Sequence, residues 1–149
     1  MPCYRSVKVL AVNVQELGAN IVVVVYHPGS ALADKLFFDE FADLMKRVAA
    51  LSAPVAVIGD VNIRLDDPHL ATSVKFNTIN SCCDMVQLVT ESTHTAGHTF
   101  DVFIMQSLTS VKVNIDPLVY FDHSLISAEI RMSETVKTIY GTWTIFKLD

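Results

Sequence analysis

The chain has 149 residues, 51% of them apolar, and a formal net charge of −5 that comes from 11 basic and 16 acidic residues. This length fits about one domain that buries roughly two-thirds of the surface of its unfolded chain. The apolar fraction argues for a packed globule and against a disordered chain. The acidic balance argues against a high-affinity nucleic-acid module, because such modules bind phosphate through Lys and Arg. It leaves room for an enzyme that approaches phosphate through a bound cation.

The sequence carries no targeting or membrane signal. Its longest apolar run, residues 21–26, is far shorter than the ~18 residues of a membrane span, and the first residues do not resemble a signal peptide. We therefore expect a soluble, intracellular protein with no membrane partner. Cys3, Cys82 and Cys83 match neither a disulfide framework nor zinc spacing, and we expect them to be buried free thiols.

The first half of the chain predicts two antiparallel strands, a helix and a third strand. The strands cover residues 7–14 and 21–26, with a turn between them. A helix is predicted over 33–51, because apolar residues recur there at helical spacing, and a buried strand follows over 55–58. The apolar stripe of the helix comprises Leu36, Phe37, Phe41, Leu44, Met45, Val48 and Leu51.

The second half predicts mostly strands. A further helix is expected over 70–81, and strands are expected in four segments. Strands with only two helices between them favour an α+β fold, with one domain over 1–132 and a tail over 133–149 that is β-prone around 142–146. The four predicted strands cover residues 85–89, 100–105, 111–115 and 123–130.

Asp60 and Asn62 follow directly after the strand 55–58 and Gly59. Residues two apart in an extended chain point the same way, so this pair would share one face at the end of a buried strand. Open sheets tend to place their chemistry there. A turn is the alternative interpretation of this stretch by itself, since Gly, Asp and Asn dominate turns.

Further polar side chains stand beside apolar strands at Tyr26, at Asp101, and at Asp122 with His123. Acids are almost never fully buried unless they are paired, so three acids at strand ends indicate one converging site. Carboxylates suit Mg²⁺, which can polarise a phosphoryl oxygen, and a histidine can donate to a phosphate. The pattern predicts metal-assisted chemistry on a phosphate ester.

Five segments in chain order resemble the endonuclease/exonuclease/phosphatase superfamily, in particular the apurinic-like endonuclease domain of non-LTR retrotransposons. VVVVYHPGS resembles the strand ending in Tyr-x-Pro, and the helical FFDEFADLM follows it. VAVIGDVN resembles the Gly-Asp-Phe-Asn motif, THTAGHTFDVFI the Thr-His-x-x-Gly-x-x-Leu-Asp segment, and FDHSLISAEI the Ser-Asp-His motif. The resemblance runs over about residues 7–130. It implies a two-sheet β-sandwich flanked by helices, of four-layer αββα type, that is incomplete at the N-terminus.

The resemblance also implies roles for the matched residues. Asp60 would orient or deprotonate the attacking water, Asn62 would hold the scissile phosphate, and Tyr26 would contact it. Asp122 would be an acidic ligand of the metal, which is Mg²⁺ with Mn²⁺ as an alternative. The last two matches form a pair: His123 would bind the phosphate and stabilise the pentacovalent transition state, and Asp101 would orient His123.

The chain departs from the family pattern in ways that bear on activity. Family members carry an Asn-bearing strand and a metal-binding Glu upstream of the Tyr-x-Pro strand, and we expect both to be missing here. Glu16 lies in the predicted turn and is not accepted as that ligand. Phe121 replaces the Ser of the Ser-Asp-His motif, and Gly29 replaces the second Pro of the loop after Tyr26.

The resulting expectation is a metal-dependent phosphodiesterase, an endonuclease of retrotransposon type that hydrolyses DNA, impaired by loss of the upstream Glu. It would belong to a longer polyprotein with a reverse transcriptase region and would act in the nucleus on genomic DNA. One alternative is a catalytically inactive remnant or interaction module with the same fold. Another is a phosphatase or phosphodiesterase of the same superfamily that acts on a lipid or small phosphoester.

Two smaller features have alternative interpretations. His94 and His98 could form a metal pair, although a third ligand is not evident in their Gly-containing loop. Asp66 and Asp67 are expected to form a solvated turn beside Pro68.

Overall fold

The computed structural model of the chain describes residues 3–14, 20–106, 110–131 and 139–142. These residues form an α+β fold, a two-sheet sandwich flanked by helices, which confirms the predicted class. The larger sheet holds β1 (Lys8–Val14), β2 (Asn20–Tyr26), β3 (Val55–Asp60), β4 (Met85–Gln87) and β5 (Asp101–Gln106). The smaller sheet holds β6 (Ser110–Asp116), β7 (Leu125–Arg131) and β8 (Ile139–Thr142), and the helices are α1 (Lys35–Ala49) and α2 (Ala71–Cys82).

The larger sheet is mixed, with the strand order β1-β2-β3-β5-β4. The β1 and β2 strands pair in antiparallel fashion, as predicted, whereas β2 and β3 are parallel and are connected through α1. The β5 strand then runs antiparallel to both β3 and β4. This order brings the carboxyl ends of β2 and β3 to the same edge as the beginning of β5.

The core consists of two layers, one on each face of β3. Val55 and Val57 point into a cluster with both helices, whereas Ala56 and Ile58 face the smaller sheet. The alternation follows from the two-residue period of a strand. A strand that is apolar at every position is therefore buried on both faces, as Val55–Asp60 is. Among the described residues both helices belong to the first cluster, so these residues supply three layers in the order helix, sheet, sheet.

The α1 helix begins after Asp34, whose side chain accepts a hydrogen bond from the Phe37 amide. The predicted stripe is confirmed at five of its seven positions and is wrong at both ends. Leu36 is 45% exposed and Leu51 is 41% exposed, while Phe38 is buried against the core instead. Leu51 leaves the stripe because the helix ends at Ala49.

Several predicted boundaries and burials need correction. The strand predicted from His123 begins only at Leu125, and the strand predicted over 85–89 is the short Met85–Gln87. The expectation of buried thiols is wrong, since two of the three free cysteines are exposed, namely Cys3 and Cys82. The predicted turn with Glu16, and most of the tail, lie outside the described residues.

The β1 strand pairs on one side only within the described part of the chain. Leu10 and Val12 are 61% and 44% exposed. Both share the face of the sheet that elsewhere packs against the smaller sheet, because they are register partners of Val24 and Val22. In the described ranges, no helix has the length and apolar character needed to cross a membrane.

Candidate active site

The site is built on a row of three polar residues across adjacent strands. Tyr26 is the register partner of Asp60, and Asp60 is the register partner of Asp101. Register partners project from the same face of a sheet. That face is the one toward the smaller sheet, since Ile58 and Phe103, two residues away from the acids, belong to the cluster between the sheets. The row thus lies where the sandwich opens at one edge.

His123 connects this row to the smaller sheet. Its Nδ1–H donates to Oδ2 of Asp101 at 2.8 Å, and its Nε2 lies 3.9 Å from Oδ2 of Asp60, beyond hydrogen-bonding distance. The hydrogen bond to Asp101 raises the pKa of the imidazole. Burial opposes this rise, and the charges of Asp101, Asp60 and Asp122 add to it. Because Asp60 and Asp101 are 5% and 3% exposed, these interactions act in a poorly solvated environment.

The His- and Thr-rich loop over 93–99 holds the two sides of the site together. The buried Oγ1 of Thr93 accepts hydrogen bonds from the amides of Phe100 and Asp101, at 3.1 and 3.2 Å. The carbonyl of Thr93 accepts from the Ser124 amide, and the Thr95 amide donates to the Asp122 carbonyl, both at 2.8 Å. The loop therefore fixes Asp101 from one side and the backbone around His123 from the other.

His94 is a member of the site that sequence reasoning missed. It forms a backbone bridge with His123, and the two rings meet edge to face at 4.9 Å. Its Nε2 lies 3.5 Å from Oδ2 of Asp122. The sequence placed His94 only beside His98, because the bridge joins segments that are distant in the chain. The signal in the sequence is that Asp122 directly precedes His123. A histidine of the 93–99 loop that approached His123 would therefore also lie close to Asp122.

Asn62 lies at the end of β3 in a turn rather than in extended chain. Its φ is +50°, and its amide donates to Oδ1 of Asp60 at 2.9 Å. Its side chain donates to the carbonyl of His27 at 2.8 Å. The turn and the site interpretations of this stretch are therefore compatible: the turn is what carries Asn62 back beside Asp60.

Two glycines make this geometry possible. A Cβ on Gly59, whose φ is +143°, would lie 1.8 Å from the carbonyl oxygen of Val25, so the close approach of β2 and β3 requires glycine. A Cβ on Gly29 would lie 2.8 Å from Oδ1 of Asn62. Gly29, which stands where the family has its second proline, thus leaves the space that the Asn62 side-chain amide occupies.

Asp66 lies in an exposed turn, as expected, but its carboxylate also bonds the loop that carries His98. Its Oδ1 accepts from the Thr99 amide at 3.0 Å, and its Oδ2 lies 3.1 Å from Nδ1 of His98. Burial opposes ionisation of Asp66, but these hydrogen bonds outweigh it and lower the pKa of the carboxyl. His98 therefore pairs with Asp66, whereas His94 pairs with Asp122, and the two rings flank Phe100.

The donor set suits a hard divalent cation. Among the described residues, two groups of candidate ligands have donor atoms within 4.8 Å of one another, and both contain His123. One group adds Asp60 and Asp101, and the other adds His94 and Asp122. The three carboxylates supply the oxygen ligands that Mg²⁺ prefers, and the exposed Asp122 is the one best able to share an ion with water.

Among the comparisons with known proteins, the one with solved structures finds a similarity, and this similarity shows the fold alone. No family model and no curated protein matches the sequence. A mannosyl-6-phosphatase from Bacteroides thetaiotaomicron has a similar structure, with a TM-score of 0.54 and 11% sequence identity. The similarity covers 78% of this chain and 54% of that one, so the chain spans about half the length of that phosphatase.

Proposed function

We propose that the chain is a metal-dependent phosphodiesterase domain of the endonuclease/exonuclease/phosphatase superfamily, with DNA as its substrate and Mg²⁺ as its cofactor. The observation that carries the proposal is the hydrogen-bonded pair of His123 and Asp101 with Asp60 on the adjacent strand. The sequence pattern predicts all three residues as members of one site. The fold shared with a phosphatase supports the same class of chemistry.

The proposed roles are those that the resemblance implies, and the contacts of His123 support them. With Nδ1 donating to Asp101, a protonated His123 places Nε2–H on the side of Asp60, where it can donate to a bound phosphoryl oxygen. Asp60, next to it, orients or deprotonates the attacking water. Asn62 and Tyr26 border the same site and contact the phosphate. Carboxylate oxygens, those of Asp122 first, would hold Mg²⁺, which would polarise the phosphoryl group when bound.

A nicking assay on supercoiled plasmid tests the proposal. The wild-type chain is incubated with and without Mg²⁺, beside Asp60→Ala, His123→Ala and the control Asp116→Ala, which removes an exposed acid of β6. We expect Mg²⁺-dependent nicking that both site variants abolish and the control retains. Nicking that survives in His123→Ala would contradict the proposal. A folded wild-type chain that does not nick would favour the alternative of an inactive remnant.

A second candidate function is hydrolysis of a small phosphoester. The similar structure is named for its action on a mannosyl phosphate, and the net charge of −5 disfavours a polyanionic substrate. Mannose 6-phosphate and a phosphoinositide therefore accompany the plasmid in the assay, with released phosphate as the readout. The THTAGHTFD segment is the reason for placing DNA first, because it resembles the retrotransposon branch of the superfamily. For the same reason we propose a parent polyprotein that contains a reverse transcriptase region. Preferential release of phosphate from either small substrate would reverse that order.

A further inference from the structure

The chemistry proposed above gives His94 no role, although this residue lies inside the site. Its ring meets the rings of Phe100 and His123 edge to face, at 5.3 and 4.9 Å, and is therefore held on two sides. Its Nε2 lies 3.5 Å from Oδ2 of Asp122. Backbone hydrogen bonds fix this arrangement, since the Thr95 amide donates to the Asp122 carbonyl at 2.8 Å. The contact between His94 and Asp122 is thus built into the site.

Two uses of the His94 ring are chemically reasonable. It could ligate a metal ion, because one donor atom each from His94, Asp122 and His123 lie within 4.8 Å of one another. Alternatively, it could donate an N–H to Asp122 and leave the ion to the carboxylate. The two uses need opposite states of Nε2, namely a free lone pair for ligation and a bound proton for donation.

The contact of the other ring nitrogen favours donation. Nδ1 of His94 accepts a hydrogen bond from the Ala96 amide at 3.0 Å, so it carries no proton. The proton of the neutral ring is then on Nε2, which faces Asp122 as an N–H donor. Ligation through Nε2 would require the proton on Nδ1, where it would meet the Ala96 N–H and the hydrogen bond would be lost.

His123 has the opposite arrangement. Its Nδ1–H donates to Asp101, which leaves Nε2 without a proton in the neutral ring. The two histidines are partners in a backbone bridge, yet they present different groups to the site. His123 presents a nitrogen that can gain a proton, whereas His94 presents a fixed N–H.

Asp122 is the carboxylate that gains most from a fixed donor. Its side chain is 60% exposed, whereas Asp60 and Asp101 are buried. An exposed carboxylate samples several rotamers, and ordering it when a ligand binds costs free energy. Hydrogen bonds to metal-ligating carboxylates reduce that cost, and their loss typically weakens metal binding by about 10- to 100-fold. Because 3.5 Å is longer than a close hydrogen bond, we expect an effect at the lower end of that range.

We propose that His94 is a positioning residue of the metal site. Held in the Nε2–H form by the Ala96 amide, it orients the Asp122 carboxylate for the divalent cation and does not ligate the cation itself. The role rests on the proposed function, in which Asp122 ligates that cation.

The position of the His94 proton is measured first, on the full ¹⁵N-labelled wild-type chain, so that the result does not depend on the folding of a variant. Long-range ¹H–¹⁵N spectra of the imidazoles are recorded with and without Mg²⁺, at a pH at which the His94 ring is neutral. Proximity of the ring to Phe100 assigns its resonances. We expect the proton on Nε2 in both states. Loss of that proton when Mg²⁺ binds would identify His94 as a ligand and overturn the inference.

Three variants of the full chain then test the effect on the cation, with Mn²⁺ affinity measured by electron paramagnetic resonance. His94→Phe keeps an aromatic ring but lacks the N–H, and it should bind Mn²⁺ about tenfold more weakly than the wild type. His94→Gln keeps an N–H donor and should retain most of the affinity. His98→Phe is the matched control in the same loop, because His98 pairs with Asp66, and it should bind like the wild type.

Hydrolysis gives an independent readout. The Mg²⁺ concentration for half-maximal rate should rise about tenfold in His94→Phe, while the rate at saturating Mg²⁺ stays near that of the wild type. A wild type that binds Mn²⁺ without hydrolysing any substrate, and whose affinity still falls in His94→Phe, would refute the proposed function and support this role of His94. Equal Mn²⁺ affinity in His94→Phe and the wild type, or no saturable Mn²⁺ binding by the wild type, would overturn it.

Discussion

Asp101 holds His123 by a 2.8 Å hydrogen bond, although 22 residues separate the two in the chain. Asp101 begins β5 in the larger sheet and His123 precedes β7 in the smaller one, so the bond spans the opening of the sandwich. A carboxylate in this position keeps the proton on Nδ1 and leaves Nε2 on the side of Asp60. The pair is the part of the site on which the proposed chemistry most depends.

Replacing Asp101 by Asn should disable His123 without unfolding the protein. The amide is nearly isosteric but uncharged, so the hydrogen bond weakens and the charge that stabilises imidazolium disappears. We expect the pKa of His123 to fall and Mg²⁺-dependent hydrolysis to drop by about 10²-fold or more. NMR titration of the imidazole and the nicking assay give the two readouts, with Asp116→Asn as the matched control. An unchanged His123 pKa would show that Asp101 does not act as described.

The pKa values of two histidines should be shifted in opposite directions from the ordinary value near 6.5. The hydrogen bond to Asp101 raises the pKa of His123, whereas burial lowers the pKa of His27. His123 therefore contributes stability that is present below pH 6.5 and is lost as the pH rises through its higher folded pKa. The neutral His27 contributes stability that is present above pH 6.5 and is lost as the pH falls.

The two titrations can be followed separately by NMR of the imidazoles in the metal-free protein. His123→Gln and His27→Gln assign the resonances. We expect the midpoint of His123 above 6.5 and that of His27 below it. The reverse order of midpoints would mean that the contacts described for the two rings do not exist in solution.

Much of the architecture could be predicted from the sequence because it depends on local patterns. The strand 55–58 and the core stripe of α1 follow from apolar runs and helical spacing, and Asp60, Asp101 and His123 followed from polar residues beside strands. The role of His94 depends on a bridge to His123, and that of Asp66 on a bond to the Thr99 amide. Such long-range contacts leave no periodic signal in the sequence.

The hydroxyl of Thr93 should matter more for stability than its small size suggests. Its Oγ1 accepts from two amides, those of Phe100 and Asp101, and the side chain is fully buried. Thr93→Val keeps the shape but leaves both donors unpaired, which should cost about 2–3 kcal/mol and shift Asp101. Chemical denaturation measures the loss, and Thr95→Val, at an exposed position of the same loop, is the control. A loss below that of the control would contradict the assigned role.

Alanine at the two glycines near the site should have different consequences. Gly59→Ala places a Cβ 1.8 Å from a backbone carbonyl at positive φ, so we expect more than about 4 kcal/mol of destabilisation and no stable fold. Gly29→Ala meets only the movable Asn62 side chain. That variant should fold at a cost of about 1 kcal/mol but lose activity, because Asn62 is displaced. Circular dichroism and the nicking assay separate the two effects. A folded, fully active Gly29→Ala would mean that Asn62 takes no part in the reaction.

Asp60, Asp101, Asp122 and His123 are proposed to form one site for a divalent cation and a phosphate. Titration of the ¹⁵N-labelled chain with substoichiometric Mn²⁺ tests it directly, since a paramagnetic ion broadens the resonances nearest to it. We expect the amides at 60–62, 101 and 122–123 to broaden first and excess Mg²⁺ to restore them. Broadening that begins at the exposed acids of α1, or that spreads evenly over surface carboxylates, would contradict a common site.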